Sequence, residues 1–123
     1  MKILIDTHIF LWAIAAPEKL SQKHKEALER LSNTIYVSSV SVTELMIKSS
    51  IGKLDVDFDP IAVAKKSGFE MLDFSCEDAF ALKEMPFHHK DPFDRMLISQ
   101  AINRNYTLMS EDGKFKAYGC KLL

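Results

Sequence analysis

Four short apolar runs, at 2–5 (KILI), 34–37 (TIYV), 69–72 (FEML) and 107–109 (TLM), alternate with segments that carry helical signals. That alternation constrains the fold more than any other feature of the chain. Runs with little polar interruption suit short strands covered on both faces, and β followed by α, repeated, specifies a parallel sheet flanked by helices. The signals predict helices over 8–15, stopped by Pro17, and from a Ser21 cap to about residue 32, with Ala27, Leu28 and Leu31 on one face. A third helix opens at Ser38 or Ser41 and meets Gly52, and a short one covers 61–66 before Gly68. Ser75-Cys76-Glu77-Asp78 resembles a capping box leading a helix to about residue 84. Asp91-Pro92 then starts a helix to about residue 103. A fifth strand at 120–122 would complete an α/β, three-layer domain with a central parallel sheet of four to five short strands. At 123 residues the chain suffices for one domain, 1–123, and not two.

In such sheets, sites form beyond the carboxyl ends of the strands, where strand order reverses. Four acids fall near these places. Asp6 closes the first run, Asp112 lies just past the fourth, and Glu44 and Asp94 sit in early turns of helices that pack beside them. Each has a local explanation. Asp6 fits an N-cap, and Glu44 fits both a Ser41-Val-Thr-Glu44 capping box and an i,i+4 pair with Lys48. Asp91 fits an N-cap, and Asp112-Gly113 fits a turn. Asp94, however, shares a helix face with Leu97, Ile98 and Ala101, which points it toward the core.

Taken together, the four would place carboxylates at one end of one sheet. Such groups repel and need a compensating cation. An all-oxygen set suits Mg²⁺ or Mn²⁺ rather than zinc, and the chemistry it serves is phosphoryl transfer with metal-activated water. No Walker-type glycine loop is present, so a nucleoside triphosphate is not the expected substrate.

The remaining polar candidates carry weaker signals. Thr7 fits a bond to phosphate or metal-bound water, or a helix cap. Ser110 fits a group that orients Asp112, or a strand end. His88, His89 and Lys90 form a basic run suited to a solvated loop or to a phosphate backbone. Arg95 and Lys114 flank the acids and suit RNA phosphates or pairing with an acid. His8 reads as a packing residue, and Phe10, Leu11 and Trp12 as core or dimer surface. A net charge of −1 gives no global basic field. Cys76 and Cys120 show no zinc spacing and read as free buried thiols in a reducing compartment. The first sixteen residues look faintly like a signal peptide, but Asp6 and His8 interrupt the apolar stretch and Pro17-Glu18 follows. No run approaches a membrane span, so a cytoplasmic location is expected.

The segments ILIDTHIFLW, SSVSVTELMIKSSIGKL, FHHKDPFDRMLISQA and LMSEDGKFKAYG together resemble a PIN domain, most closely the VapC-type toxin ribonucleases of toxin–antitoxin pairs. The likeness spans essentially the whole chain, and KDPFDRMLISQA is its most specific part. By motif it implies that Asp6, Glu44, Asp94 and Asp112 are the family's four acids. Asp91 matches an extra acid of the DPFDR subgroup, and Ser110 the hydroxyl before the last acid. Glu111 departs from the pattern, which favours a basic residue there. The resemblance also implies a Mg²⁺- or Mn²⁺-dependent endoribonuclease, an RNA substrate, a homodimer and a cognate antitoxin that blocks the acidic groove.

Other classes fit less well. A phosphorelay receiver domain needs an acidic pair after strand one, where Thr7-His8 stand. A haloacid-dehalogenase-like phosphatase needs Asp-x-Asp, and position 8 is His. A non-catalytic PIN-like module that binds RNA or protein is the non-enzymatic alternative.

Overall fold

In the computed structural model, which describes residues 1–87 and 90–123, four strands form one parallel sheet in the order β3-β2-β1-β4. These are β1 (Lys2–Ile5), β2 (Thr34–Ser38), β3 (Glu70–Leu72) and β4 (Thr107–Met109). Ile3 aligns with Ile35 on one side and Thr107 on the other, and Ile5 with Val37 and Met109. Among the described residues, six α-helices flank the sheet: α1 (Thr7–Ala15), α2 (Gln22–Glu29), α3 (Ser39–Ser50), α4 (Pro60–Lys66), α5 (Cys76–Glu84) and α6 (Pro92–Arg104). The α/β expectation holds. A fifth strand does not form; the end of the chain adds only a single parallel bridge, Leu122 to Leu108.

Alternation along the strands divides the core into two layers. Ile3 and Ile5 face a cluster with Ile9, Phe10, Ile35, Val37, Leu45, Ala64 and Met109. Leu4 faces the opposite cluster of Val40, Leu72, Leu97, Ile98, Ala101, Leu108, Phe115 and Tyr118. The inner strand β1 leaves only Lys2 exposed and so reads as a continuous apolar run, whereas the edge strand β3 keeps Glu70 exposed.

Three local readings change. Helix α2 ends at Glu29, not near residue 32, and Leu31 is fully exposed instead of sharing the face of Ala27 and Leu28. There Asn33 draws the chain out of the helix: its backbone N–H donates to the Arg30 carbonyl, and its side-chain amide to that of Ala27. Helix α3 starts from Ser38, whose hydroxyl accepts from the Val40 N–H at 3.0 Å; Ser41 lies inside the helix, so the Ser41–Glu44 capping box does not form. Cys76 is exposed and Cys120 half-buried, so the thiols are free but not both buried.

Helices α5 and α6 are joined by a buried charge. Asp78 is fully buried, and its carboxylate accepts from Arg104 at 3.1 Å, Asn103 at 2.7 Å and the Ser75 N–H at 2.8 Å. The last of these completes the expected capping box. Among the described residues, no helix is long and apolar enough to cross a membrane.

Candidate active site

The strand order reverses at β1: β2 and β3 extend on one side, and the chain then returns to place β4 on the other. Asp6 and Ser110 are the residues immediately after β1 and β4, so adjacent strands deliver them side by side. The Asp6 N–H donates to the Met109 carbonyl at 3.1 Å, extending the ladder by one residue. The Asp6 carboxylate then turns into α1 and accepts from the Ile9 N–H at 2.8 Å. It is therefore an N-cap, and a buried one, 3% exposed. Burial drives its pKa above the ordinary 3.8, against the lowering effects of a Ser110 hydrogen bond, the Ile9 N–H and His8, while Asp112 pushes the same way as burial. An N-cap at a surface helix needs none of this desolvation.

Ser110 accepts from the Asp112 N–H at 2.9 Å, and Asp112 in turn accepts from the Lys114 N–H at 2.9 Å, capping a 3-10 segment over Gly113–Tyr118. Ser110 thus follows the end of β4 and holds the Asp112 backbone, and Asp112 is the cap of a turn. Asp6 and Asp112 border a cleft of about 270 Å³ together with His8, Trp12 and Glu111. His8 is exposed in this cleft, not packed, and its ring tilts against that of Trp12 at 6.2 Å. Phe10 is core, whereas Trp12 is half-buried between the core and the cleft.

The other two acids come from helices. Glu44, 3% exposed, lies one turn into α3 beyond Ser41. Its Oε2 accepts from Lys48 Nζ at 2.6 Å, as the i,i+4 spacing predicts, while its Oε1 is buried with no hydrogen-bond partner. Asp91 caps α6, accepting from the N–H groups of Phe93 at 2.8 Å and Asp94 at 3.2 Å. Asp94 is half-buried in the first turn. The Glu44 carboxylate, followed by the charges of Asp91 and Asp94, holds the Lys48 ammonium above its ordinary pKa, so all three acids share one field.

Two halves result: Asp6, Ser110 and Asp112 at the strand ends, and Glu44, Asp91, Asp94 and Lys48 between α3 and α6. Thr7 joins them, because its buried hydroxyl donates to the Ser41 hydroxyl at 2.9 Å and ties α1 to α3. Thr7 is thereby occupied inside the protein, and the cap at this helix is Asp6 instead. Among the described residues, no three His, Cys, Asp or Glu side chains converge into a closed cage for a metal. The donor set nevertheless fits a hard cation: every candidate is a carboxylate, Asp6 ionises against its burial, and Glu44 holds a buried oxygen with nothing to accept.

The basic candidates are less concentrated. Arg95 donates to the Pro86 carbonyl at 3.0 Å and the Tyr118 hydroxyl at 3.3 Å, with its guanidinium over the Phe87 ring at 4.5 Å. Those described contacts are aromatic and carbonyl, not acidic. Lys90 and Lys114 are exposed, and the phosphate-contact reading of His88 and His89 lies outside the described residues. Sequence reasoning missed His24, buried in α2, whose Nδ1 lies 2.8 Å from Glu111 Oε1 and whose Nε2 lies 2.8 Å from the Leu123 carbonyl. The unusual acid at position 111 was the available signal, since an acid beside Asp112 needs a partner of its own.

Residues 3–120 match the PIN domain model, and the chain belongs to that family. No curated protein matches the sequence significantly. Among solved structures, the fold is similar to a chain of VapBC2 from Rickettsia felis bound to a promoter DNA fragment, with TM-score 0.76 and 24% identity over 100% of this chain and 98% of that one. It is also similar to a chain of DNA-bound VapBC from Salmonella typhimurium, with TM-score 0.74 and 19% identity over 100% and 97%. A chain of FitAcB from Neisseria gonorrhoeae matches with TM-score 0.63 and 16% identity over 98% and 96%.

Proposed function

We propose that this PIN domain is a Mg²⁺- or Mn²⁺-dependent endoribonuclease, the toxin of a toxin–antitoxin pair, acting in the cytoplasm as a homodimer under control of a cognate antitoxin. The observation that carries the catalytic reading is that Asp6, at the switch point of the sheet, and Glu44, on the helix tied to it through Thr7 and Ser41, are both buried carboxylates, Glu44 with one oxygen unpartnered among the described residues. Capping accounts for a contact of Asp6 but not for its burial, and the Lys48 pair leaves Glu44 Oε1 unmatched. The similarity in fold to chains of VapBC complexes supports the toxin assignment and the antitoxin partner.

In this reading Asp6, Glu44, Asp94 and Asp112 hold the divalent ion. When bound, that ion supplies the acidity that makes water a nucleophile at neutral pH and neutralises charge on a phosphodiester. Asp6 is fixed by the Ile9 N–H and Ser110, so its orientation is set before substrate arrives. Ser110 holds the segment that carries Asp112. The open cleft beside His8, Trp12 and Asp112 leaves room for a strand of RNA to approach the acids.

The test is cleavage of mixed RNA with Mg²⁺, Mn²⁺ or EDTA, using wild type and Asp6→Ala, Glu44→Ala and Asp94→Ala. Cutting should require metal and fall by roughly 10²-fold or more in each variant, as when a preorganised electrostatic group is removed. Loss at Asp112→Ala should be smaller, because water can replace an outer acid in part. Undiminished cutting by Asp94→Ala would overturn the site. RNA binding without cutting, under every metal condition, would favour the non-catalytic module.

A further inference from the structure

Lys48 touches the buried acid of α3 directly, and its placement is unlike that of a surface helix pair. Its Nζ meets Glu44 Oε2 at 2.6 Å. The Glu44 side chain is 4% exposed and that of Lys48 37%, so the ammonium reaches inward from the rim to a carboxylate that water does not reach. An exposed i,i+4 pair holds two solvated ends together and contributes little. Here the acid is buried and its second oxygen, Oε1, has no partner among the described residues. A buried carboxylate without a counter-charge is strongly unfavourable. One oxygen of Glu44 has such a charge, and the other faces inward with none.

We propose that Lys48 is a tethered counter-ion of the Glu44 carboxylate, and that its charge opposes a divalent ion bound at Glu44.

This inference rests on the metal-dependent reading above. A monovalent ammonium on a flexible stem is the counter-charge of the buried Glu44 carboxylate. A divalent ion that takes Glu44 as a ligand competes with that ammonium for the same carboxylate, so occupancy by one weakens the other.

The experiment is Mn²⁺ binding by electron paramagnetic resonance, with thermal melts in EDTA and in Mn²⁺. It uses the full chain as wild type, Lys48→Met, Lys48→Arg and Asp6→Asn. Lys48→Met keeps the stem and removes the charge, and should tighten Mn²⁺ binding by at least about fivefold, the lower end of usual coupling between two ligands. Lys48→Arg keeps the charge and should stay near the wild-type value. In EDTA, Lys48→Met should melt below wild type, and Mn²⁺ should close the gap. Lys48→Gln makes the same comparison should the methionine variant fail to fold. Mn²⁺ affinity unchanged or weakened in the uncharged variants overturns the counter-ion role. If Asp6→Asn then abolishes binding, the nuclease reading still stands. Failure of wild type to bind Mn²⁺ at all overturns both.

Discussion

His24 lies 2.8 Å from Glu111, and through its other ring nitrogen 2.8 Å from the Leu123 carbonyl, so one buried side chain fastens α2 to both the last residues of the chain and the segment that carries Asp112. The residue before a candidate catalytic acid is thus anchored at a distance of 87 positions in sequence. Asp112 itself is held by Ser110 on one side and by its cap on the 3-10 turn on the other. The loop that follows β4 is tied down at three successive residues. Loops that present functional groups from a rigid scaffold gain precision from such tethers.

Replacing His24 with Ala should therefore cost stability and loosen this loop together. The contacts of both ring nitrogens are lost, and with them at least one hydrogen bond to a partly buried acceptor, an effect of about 1–3 kcal/mol. Urea denaturation should show a lower midpoint with an unchanged slope. Glu111→Gln, which retains a hydrogen-bonding oxygen, should lose less than His24→Ala. Equal stability of His24→Ala and wild type would mean that the tether is dispensable.

A second prediction concerns acid. Burial alone would raise the Asp78 pKa, but Arg104, the Ser75 N–H and Asn103 together hold it below the ordinary 3.8. A depressed carboxylate adds stability that is fully present above its unfolded value and is lost as pH falls through the folded value. Arg104→Met removes the cation and leaves a fully buried acid, a change of about 3–5 kcal/mol where one partner of a buried pair is deleted. The variant should unfold at higher pH than wild type during acid titration by circular dichroism. Asp78→Asn should lose less, because it relieves the charge and keeps the side-chain shape. An acid midpoint unmoved by Arg104→Met would count against this account.

Much of the architecture was written in local signals. β1 and β2 read as strands because they are covered on both faces, and Asp91-Pro92 as a helix start because a capping acid precedes a residue that cannot donate. The end of α2 was misread because Leu31 continues the apolar spacing, and nothing local reveals that Asn33 will take the Ala27 carbonyl. The start of α3 stayed open between two serines, since only tertiary contact decides between them: Ser41 is drawn to Thr7 in another helix. The acids were legible as a set but not as two halves. Lys48 was visible only as an i,i+4 partner, and its burial against Glu44 depends on packing that spacing does not encode.

A third prediction separates RNA affinity from chemistry. Lys90 and Lys114 are exposed on segments that flank the acids. If each meets a phosphate, neutralising either should weaken RNA binding and reduce the salt slope by about 0.7, the value for one contact on a single strand. Arg95→Ala should have a mixed effect, because its guanidinium also lies over Phe87 and bonds Tyr118. Fluorescence anisotropy with a labelled RNA in EDTA, across a range of salt, measures this without cleavage. An unchanged slope in the Lys90 and Lys114 variants would place the RNA on another face.

The last prediction uses Asp6. Its carboxyl has a raised pKa, chiefly because it is buried. A group of this kind binds its proton more tightly when folded, so stability falls as pH rises from 3.8 through the folded value and stays lowered above it. Asp6→Asn removes that burden while preserving the cap on α1, since Asn and Asp serve equally at N-caps. In EDTA at neutral pH the variant should therefore melt above wild type. Below pH 4 the two should converge. Millimolar Mg²⁺ should raise the wild-type melt, because an ion that binds the folded chain stabilises it by mass action, and should raise the variant much less. Should Asp6→Asn melt below wild type in EDTA and Mg²⁺ shift both equally, Asp6 is only a helix cap, and the metal belongs elsewhere or nowhere in this domain.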